Sequence, residues 1–80
     1  MPKLLLYYSP HCPYCHKVLG YMRSAGINIP QKDIYEREEN REELIRIGGK
    51  GQVPCLVIDG KALYESDDII DWLKKNANTK

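Results

Sequence analysis

Leu4-Leu5-Leu6-Tyr7-Tyr8 is an unbroken apolar run between Lys3 and Ser9. A short run without polar alternation predicts a strand covered on both faces, from Lys3 to Tyr8. Ser9-Pro10 ends it. The period then changes: Cys15, Val18, Leu19 and Met22 recur at i, i+3, i+4 and i+7, which predicts a helix with one buried face. Pro13 stands at the first helical position, where its missing N–H has no partner to lose. Gly26 stands where a left-handed C-cap closes the helix. Pro30 interrupts the next segment, so a second strand is placed from Gln31 to Ile34. Glu38 to Ile47 predicts a short helix with Leu44, Ile45 and Ile47 as its apolar residues and a solvated charged face.

Gly48-Gly49-Lys50-Gly51 is a flexible loop leading to Val53-Pro54. Cys55 to Ile58 reads as a buried strand, Asp59-Gly60 as a two-residue hairpin turn, and Ala62-Leu63-Tyr64 as the returning strand. Ser66 is placed as the N-cap of a last helix, with Asp67 and Asp68 in its first turn. Ile69, Ile70 and Leu73 supply its apolar face, with Trp72 at the edge. The order β-α-β-α-β-β-α gives a parallel right-handed crossover followed by an antiparallel hairpin. The expected architecture is α/β, a four-stranded mixed sheet flanked by helices. With no linker, repeat or low-complexity tract, residues 1–80 read as a single domain.

Composition narrows the function. A net charge of +1 gives no electrostatic footprint for nucleic acid or an anionic membrane. No segment approaches the roughly 18 apolar residues of a membrane span. The N-terminal apolar run is short and passes on without a small-residue cleavage site. A cytoplasmic location is therefore expected, where thiols are kept reduced. The three cysteines are an odd set, unlike the framework of a disulfide-stapled secreted domain.

Two of those cysteines lie in His11-Cys12-Pro13-Tyr14-Cys15-His16, which admits three chemistries. Cys12 to His16 fits the C-x-x-C-H pattern of haem attachment, but that goes with export, and a distal ligand would have to come from Met1, Met22 or His11. Zinc would need four ligands and a second pair at metal-binding spacing, and only Cys55 is left. The third chemistry is a dithiol. At a helix start, unpaired N–H groups and the helix dipole stabilise a thiolate on Cys12. Cys15, one turn on and on the apolar face, is shielded and near enough to attack a mixed disulfide on Cys12. Cys12 is then an exposed nucleophile and Cys15 a resolving thiol, and no metal or haem is expected. Cys55 reads as a small buried hydrophobe, and His11 and His16 as solvated neighbours.

From Lys3 to Lys75 the chain resembles the glutaredoxin family. The resemblance rests on Cys12-Pro13-Tyr14-Cys15 after the first strand, Val53-Pro54 before the third, and Asp67-Asp68 opening the last helix. It implies a thioredoxin-like fold and a disulfide oxidoreductase that uses glutathione as co-substrate. Its partners would be glutathionylated or disulfide-bonded proteins, and it would act as a monomer, without nucleic acid or membrane. It also implies that Val53 pairs its main chain with the cysteinyl part of glutathione and that Pro54 is cis. Ser66 and Asp67 would hold the γ-glutamyl end, and Tyr14 would flank the tripeptide. The chain departs from the family in three places. Ser9 stands where a Lys is usual, with Lys50, Gln52 or Arg46 as substitutes. Gln52, a further expected contact, stands for Thr, and Tyr64-Glu65 stands for Gly-Gly. Gly51 to Leu73, with Val53-Pro54 and Glu65-Ser66, is also similar to the N-terminal domain of glutathione transferases. Two other activities are compatible with these residues: a redoxin reduced by thioredoxin reductase, and a non-catalytic glutathione-binding module.

Overall fold

The computed structural model describes residues 3–76; Met1, weighed above as a haem ligand, lies outside them. Strand β1 is Leu4–Tyr8, followed by α1 (Pro13–Ala25), β2 (Gln31–Asp33), α2 (Glu38–Gly48), β3 (Cys55–Ile58), β4 (Lys61–Tyr64) and α3 (Ser66–Asn76). The sheet order is β2-β1-β3-β4. β1 runs parallel to β2 and antiparallel to β3, and β3 runs antiparallel to β4. This is the thioredoxin-like α/β fold, with the element order the sequence predicts.

The unbroken apolar runs of β1 and β3 make sense once both faces of the sheet are covered. Successive strand side chains point to opposite faces. Leu6 and Leu56 enter one core with Val18 and Met22 of α1, Ile69 and Leu73 of α3, and Ile29. Tyr7, Cys55 and Val57 enter the other with Ile34 and Leu44. α2 covers this second face alone. Its buried residues are Asn40 and Leu44, four apart and so on one stripe. The Asn40 Nδ2 donates to the Asp33 carbonyl at 2.9 Å. Ile45 and Ile47, expected on the apolar face, flank that stripe and are exposed. The buried face of α2 is narrower than its apolar residues suggest.

A polar relay supports the same face. The hydroxyl of buried Tyr7 donates to Glu43 Oε1 at 3.0 Å, and Lys32 Nζ donates to the same oxygen at 2.7 Å. Burial, reinforced by the Glu43 carboxylate, pushes the Tyr7 hydroxyl up to about 12. Lys32 and Tyr7 together hold the Glu43 carboxyl below its usual range.

The turns follow the predicted chemistry. Gly26 caps α1 at φ 69°, and Asp59 and Gly60 turn the hairpin at φ 49° and 86°. One cap differs. Ile69 N–H donates to the Glu65 carbonyl at 3.0 Å, so Glu65, not Ser66, holds the capping position of α3. Glu65 has a left-handed backbone at φ 73°, which delivers Ser66 to the first helical position, where it is buried.

Leu44→Ala should cost about 2–5 kcal/mol, because it removes the apolar anchor of α2. Ile45→Ala, at an exposed position, should stay within about 0.5 kcal/mol. Urea unfolding of the two variants against the parent checks both values.

Candidate active site

Cys12 is the N-cap of α1, with extended backbone angles of φ −100° and ψ 117°. Its Sγ accepts a hydrogen bond from the Cys15 N–H at 3.3 Å. One of the orphan amides of the helix start is therefore aimed at the sulfur. The Cys12 thiol in turn donates to the Val53 carbonyl at 3.7 Å. Val53 precedes Pro54 through a cis peptide bond, as the resemblance implies. Cys12 is half-buried rather than exposed, because Val53 covers one side of it.

Cys15 lies one turn behind and is fully buried. Burial, opposed by a 3.4 Å hydrogen bond from the Ser9 N–H, pushes its thiol up to about 12. Cys12, Cys15 and Cys55 are all free thiols. Cys55 is fully buried in the second core, where burial pushes its thiol up to about 11. The motif thus holds two sulfurs in opposite environments, one at a helix end near the surface and one inside.

Ser9 organises the approach to the motif. It is buried, its N–H reaches Cys15 Sγ, its carbonyl accepts from Cys12 N–H at 3.3 Å, and its hydroxyl accepts from His11 N–H at 3.2 Å. His11 and His16 are exposed, and the His16 ring Nε2 lies 2.6 Å from the Pro10 carbonyl oxygen. Among the described residues, no group of three or more His, Cys, Asp and Glu side chains is placed to hold a metal ion.

A groove of about 410 Å³ opens beside Cys12. Tyr14, Gln52, Val53, Pro54, Ser66 and Asp67, the residues singled out from sequence, all line it, together with Glu65. They come from three separate places: the start of α1, the lead-in to β3, and the start of α3. Ser66 presents the first turn of α3, whose unpaired amides suit an anion.

Two residues of this region were not among the sequence candidates. Lys17 Nζ pairs with Asp67 Oδ1 at 2.5 Å, joining α1 to α3. Glu65 lines the groove and accepts from Gln52 Nε2 at 3.2 Å. Glu65 was visible as a departure next to Ser66, but nothing local to Lys17 points across 50 positions to Asp67. Lys50 lies 4.9 Å from the centre of the Tyr64 ring, and Arg46 exerts its charge on Tyr7 and Glu43. Neither lines the groove in the way expected of a substitute for the missing Lys.

Known proteins resemble this chain in sequence and in fold. Residues 6–80 match the family described as glutathione S-transferase, N-terminal domain. Glutaredoxin 3 of Escherichia coli (strain K12) is 30% identical over 69 residues, covering 86% of this chain and 83% of that protein. The chain belongs to the glutaredoxins and to the family of glutathione transferase N-terminal domains. Among solved structures, glutathione transferase Omega 3C of Trametes versicolor superposes with a TM-score of 0.81 at 28% identity. That match covers 98% of this chain and 36% of the transferase, so the chain spans little more than a third of its length. The holo form of glutaredoxin C1 of Populus tremula x tremuloides superposes at 0.70 with 21% identity, over 92% of this chain and 76% of that one. It shares the fold. The glutaredoxin relatives place the chain in a thiol–disulfide oxidoreductase family.

The two buried thiols give a pH dependence. Their raised values favour the protonated form in the fold, so their contribution to stability is complete below the ordinary thiol value of 9.0. It is lost as pH rises through about 11 for Cys55 and about 12 for Cys15. The urea midpoint of the reduced chain should therefore fall between pH 9 and 11, and fall less steeply in Cys55→Ala. At pH 7, iodoacetamide should add once, at Cys12, to the native chain and three times in denaturant, as read by mass spectrometry.

Proposed function

We propose that this glutaredoxin-family chain is a glutathione-dependent disulfide oxidoreductase acting on protein–glutathione mixed disulfides and protein disulfides. The observation that carries the reading is the pair of sulfurs in opposite environments, with the outer one against the wall of a groove. In the first step the Cys12 thiolate attacks the glutathionyl sulfur of a mixed disulfide. The protein–sulfur bond breaks, the protein leaves as a thiol with a proton from solvent, and Cys12 carries glutathione. A second glutathione thiolate then attacks that glutathionyl sulfur, forming oxidised glutathione and restoring the Cys12 thiolate. In the alternative route Cys15 attacks Cys12 Sγ and expels glutathione. The resulting internal disulfide is reduced by two further glutathione molecules. Burial disfavours the Cys15 thiolate, which argues for the first route.

The groove residues take the following roles. Ionisation of Cys12 ends its hydrogen bond to the Val53 carbonyl, which is then free to accept the cysteinyl N–H of glutathione. Ser66 and the first amides of α3 receive the γ-glutamyl carboxylate, and Asp67 meets the adjacent ammonium. Tyr14 flanks the tripeptide, and Gln52 and Pro54 wall it in. The chain works as a monomeric single domain in the reducing cytosol, with glutathione as its electron donor and no resident metal. Among the described residues, no helix is long and apolar enough to cross a membrane.

Glutathione-coupled reduction of a small mixed disulfide tests the reading on the parent chain, Cys12→Ser and Cys15→Ser. Activity should vanish with Cys12 and persist without Cys15. An inactive parent chain would sink the glutathione route; turnover with thioredoxin reductase in its place would identify a redoxin. Binding of glutathione without any turnover would identify a non-catalytic module.

A further inference from the structure

The last rung of the ladder between β3 and β4 pairs Cys55 with Tyr64. Beyond it the two segments part, with Pro54, Val53 and Gln52 on one side and Glu65, Ser66 and Asp67 on the other. The groove opens between them and Tyr14. Among the described residues, two hydrogen bonds join the parting segments. The Gln52 amide donates to Glu65 Oε2 at 3.2 Å, but both side chains are exposed. The Tyr64 hydroxyl donates to the Lys50 carbonyl at 3.0 Å from a half-buried residue.

The ring of Tyr64 is seated for that bond. A Cβ at Gly48 would overlap the Tyr64 hydroxyl and stand 2.8 Å from its Cζ, so the close approach needs glycine at the end of α2. The Lys50 ammonium lies 4.9 Å from the ring centre and adds a cation–π contact to the same loop. Burial pushes the Tyr64 hydroxyl up, so it stays protonated and a donor at neutral pH.

Tyr64 does not line the groove and acts through what it holds. Its hydroxyl fixes Lys50 in the loop that leads to Gln52 and Val53, and its own backbone leads through Glu65 to Ser66. A γ-glutamyl-cysteinyl ligand has to meet the Val53 carbonyl and the Ser66 end of α3 at the same time. A loop already ordered before the ligand arrives costs less of the binding energy. We propose that Tyr64 is a positioning residue, tying the 48–51 loop to the start of α3 and so presetting the spacing between Val53 and Ser66. This rests on the glutathione-dependent reading above and adds the part that sets affinity. The amide that meets Cys12 Sγ belongs to α1 and lies outside the tie.

Tyr64→Phe keeps the ring and removes the hydroxyl. The whole chain is titrated with S-methylglutathione, whose thioether sulfur cannot exchange with Cys12, and backbone amide shifts of Tyr14, Val53 and Ser66 report occupancy. Tyr64→Phe should bind about two- to tenfold more weakly, the range of one net intramolecular hydrogen bond. In the glutathione-coupled assay KM for the small mixed disulfide should rise while kcat holds. Backbone order parameters of Lys50, Gly51 and Gln52 should fall, while Leu6 and Leu56 keep theirs. Unchanged affinity overturns the proposal and leaves the glutathione reading intact, as does a fall in kcat at constant KM. Weaker binding with the loop as rigid as in the parent also overturns it, because the loss would not run through the tie. If the parent chain fails to bind S-methylglutathione, the glutathione reading falls and this proposal falls with it.

Discussion

The antiparallel pairing of Tyr7 with Cys55 is the contact on which the site depends. Continued in register, it sets Pro54 against Tyr8 and Val53 against Ser9, and so brings Pro54 and Val53 to the loop that carries Cys12. The register is fixed because both faces of β1 and β3 are buried. A slip of one residue would send Leu6 and Leu56 into the core occupied by Tyr7 and Cys55, and the reverse. The hydrophobic pattern of two short strands therefore decides which carbonyl faces the reactive sulfur. Chemistry and packing are specified by the same pair of segments.

The two sulfurs show how little chain is needed to separate two roles. Two residues divide Cys12 from Cys15, but one is the cap of a helix and the other lies on its buried face. A helix start offers amides to a capping group, while the first buried position inside offers none beyond what the chain before it supplies. Here that supply is the single N–H of Ser9. The contrast comes from helix geometry acting on identical side chains, and Pro13 fixes where the helix starts.

Local signals made most of the fold legible. Gly26, Asp59-Gly60 and Pro13 act through their own backbone preferences, and the periods of α1, β1 and β3 need no knowledge of their neighbours. What escaped the sequence was tertiary. Ile45 and Ile47 are apolar, yet the sheet accepts only the Asn40–Leu44 stripe of α2. Lys17 and Asp67 meet because α1 and α3 lie side by side on one face, a fact that neither segment contains. Glu65 adopts a left-handed backbone against the ordinary preference of its side chain, and the turn from β4 into α3 imposes it. In the site, the dithiol was visible from spacing alone. The groove residues were reachable only through likeness to a family, because they converge from three separated segments.

α2 holds a different position in this economy of parts. It closes the second core with one leucine, one asparagine and the Glu43 relay, yet residues 38–48 contribute nothing to the lining of the groove. The cover of the second core and the lining of the groove thus come from separate stretches of a very short chain. Substitution of the exposed side chains of α2 would leave every residue that lines the groove in place.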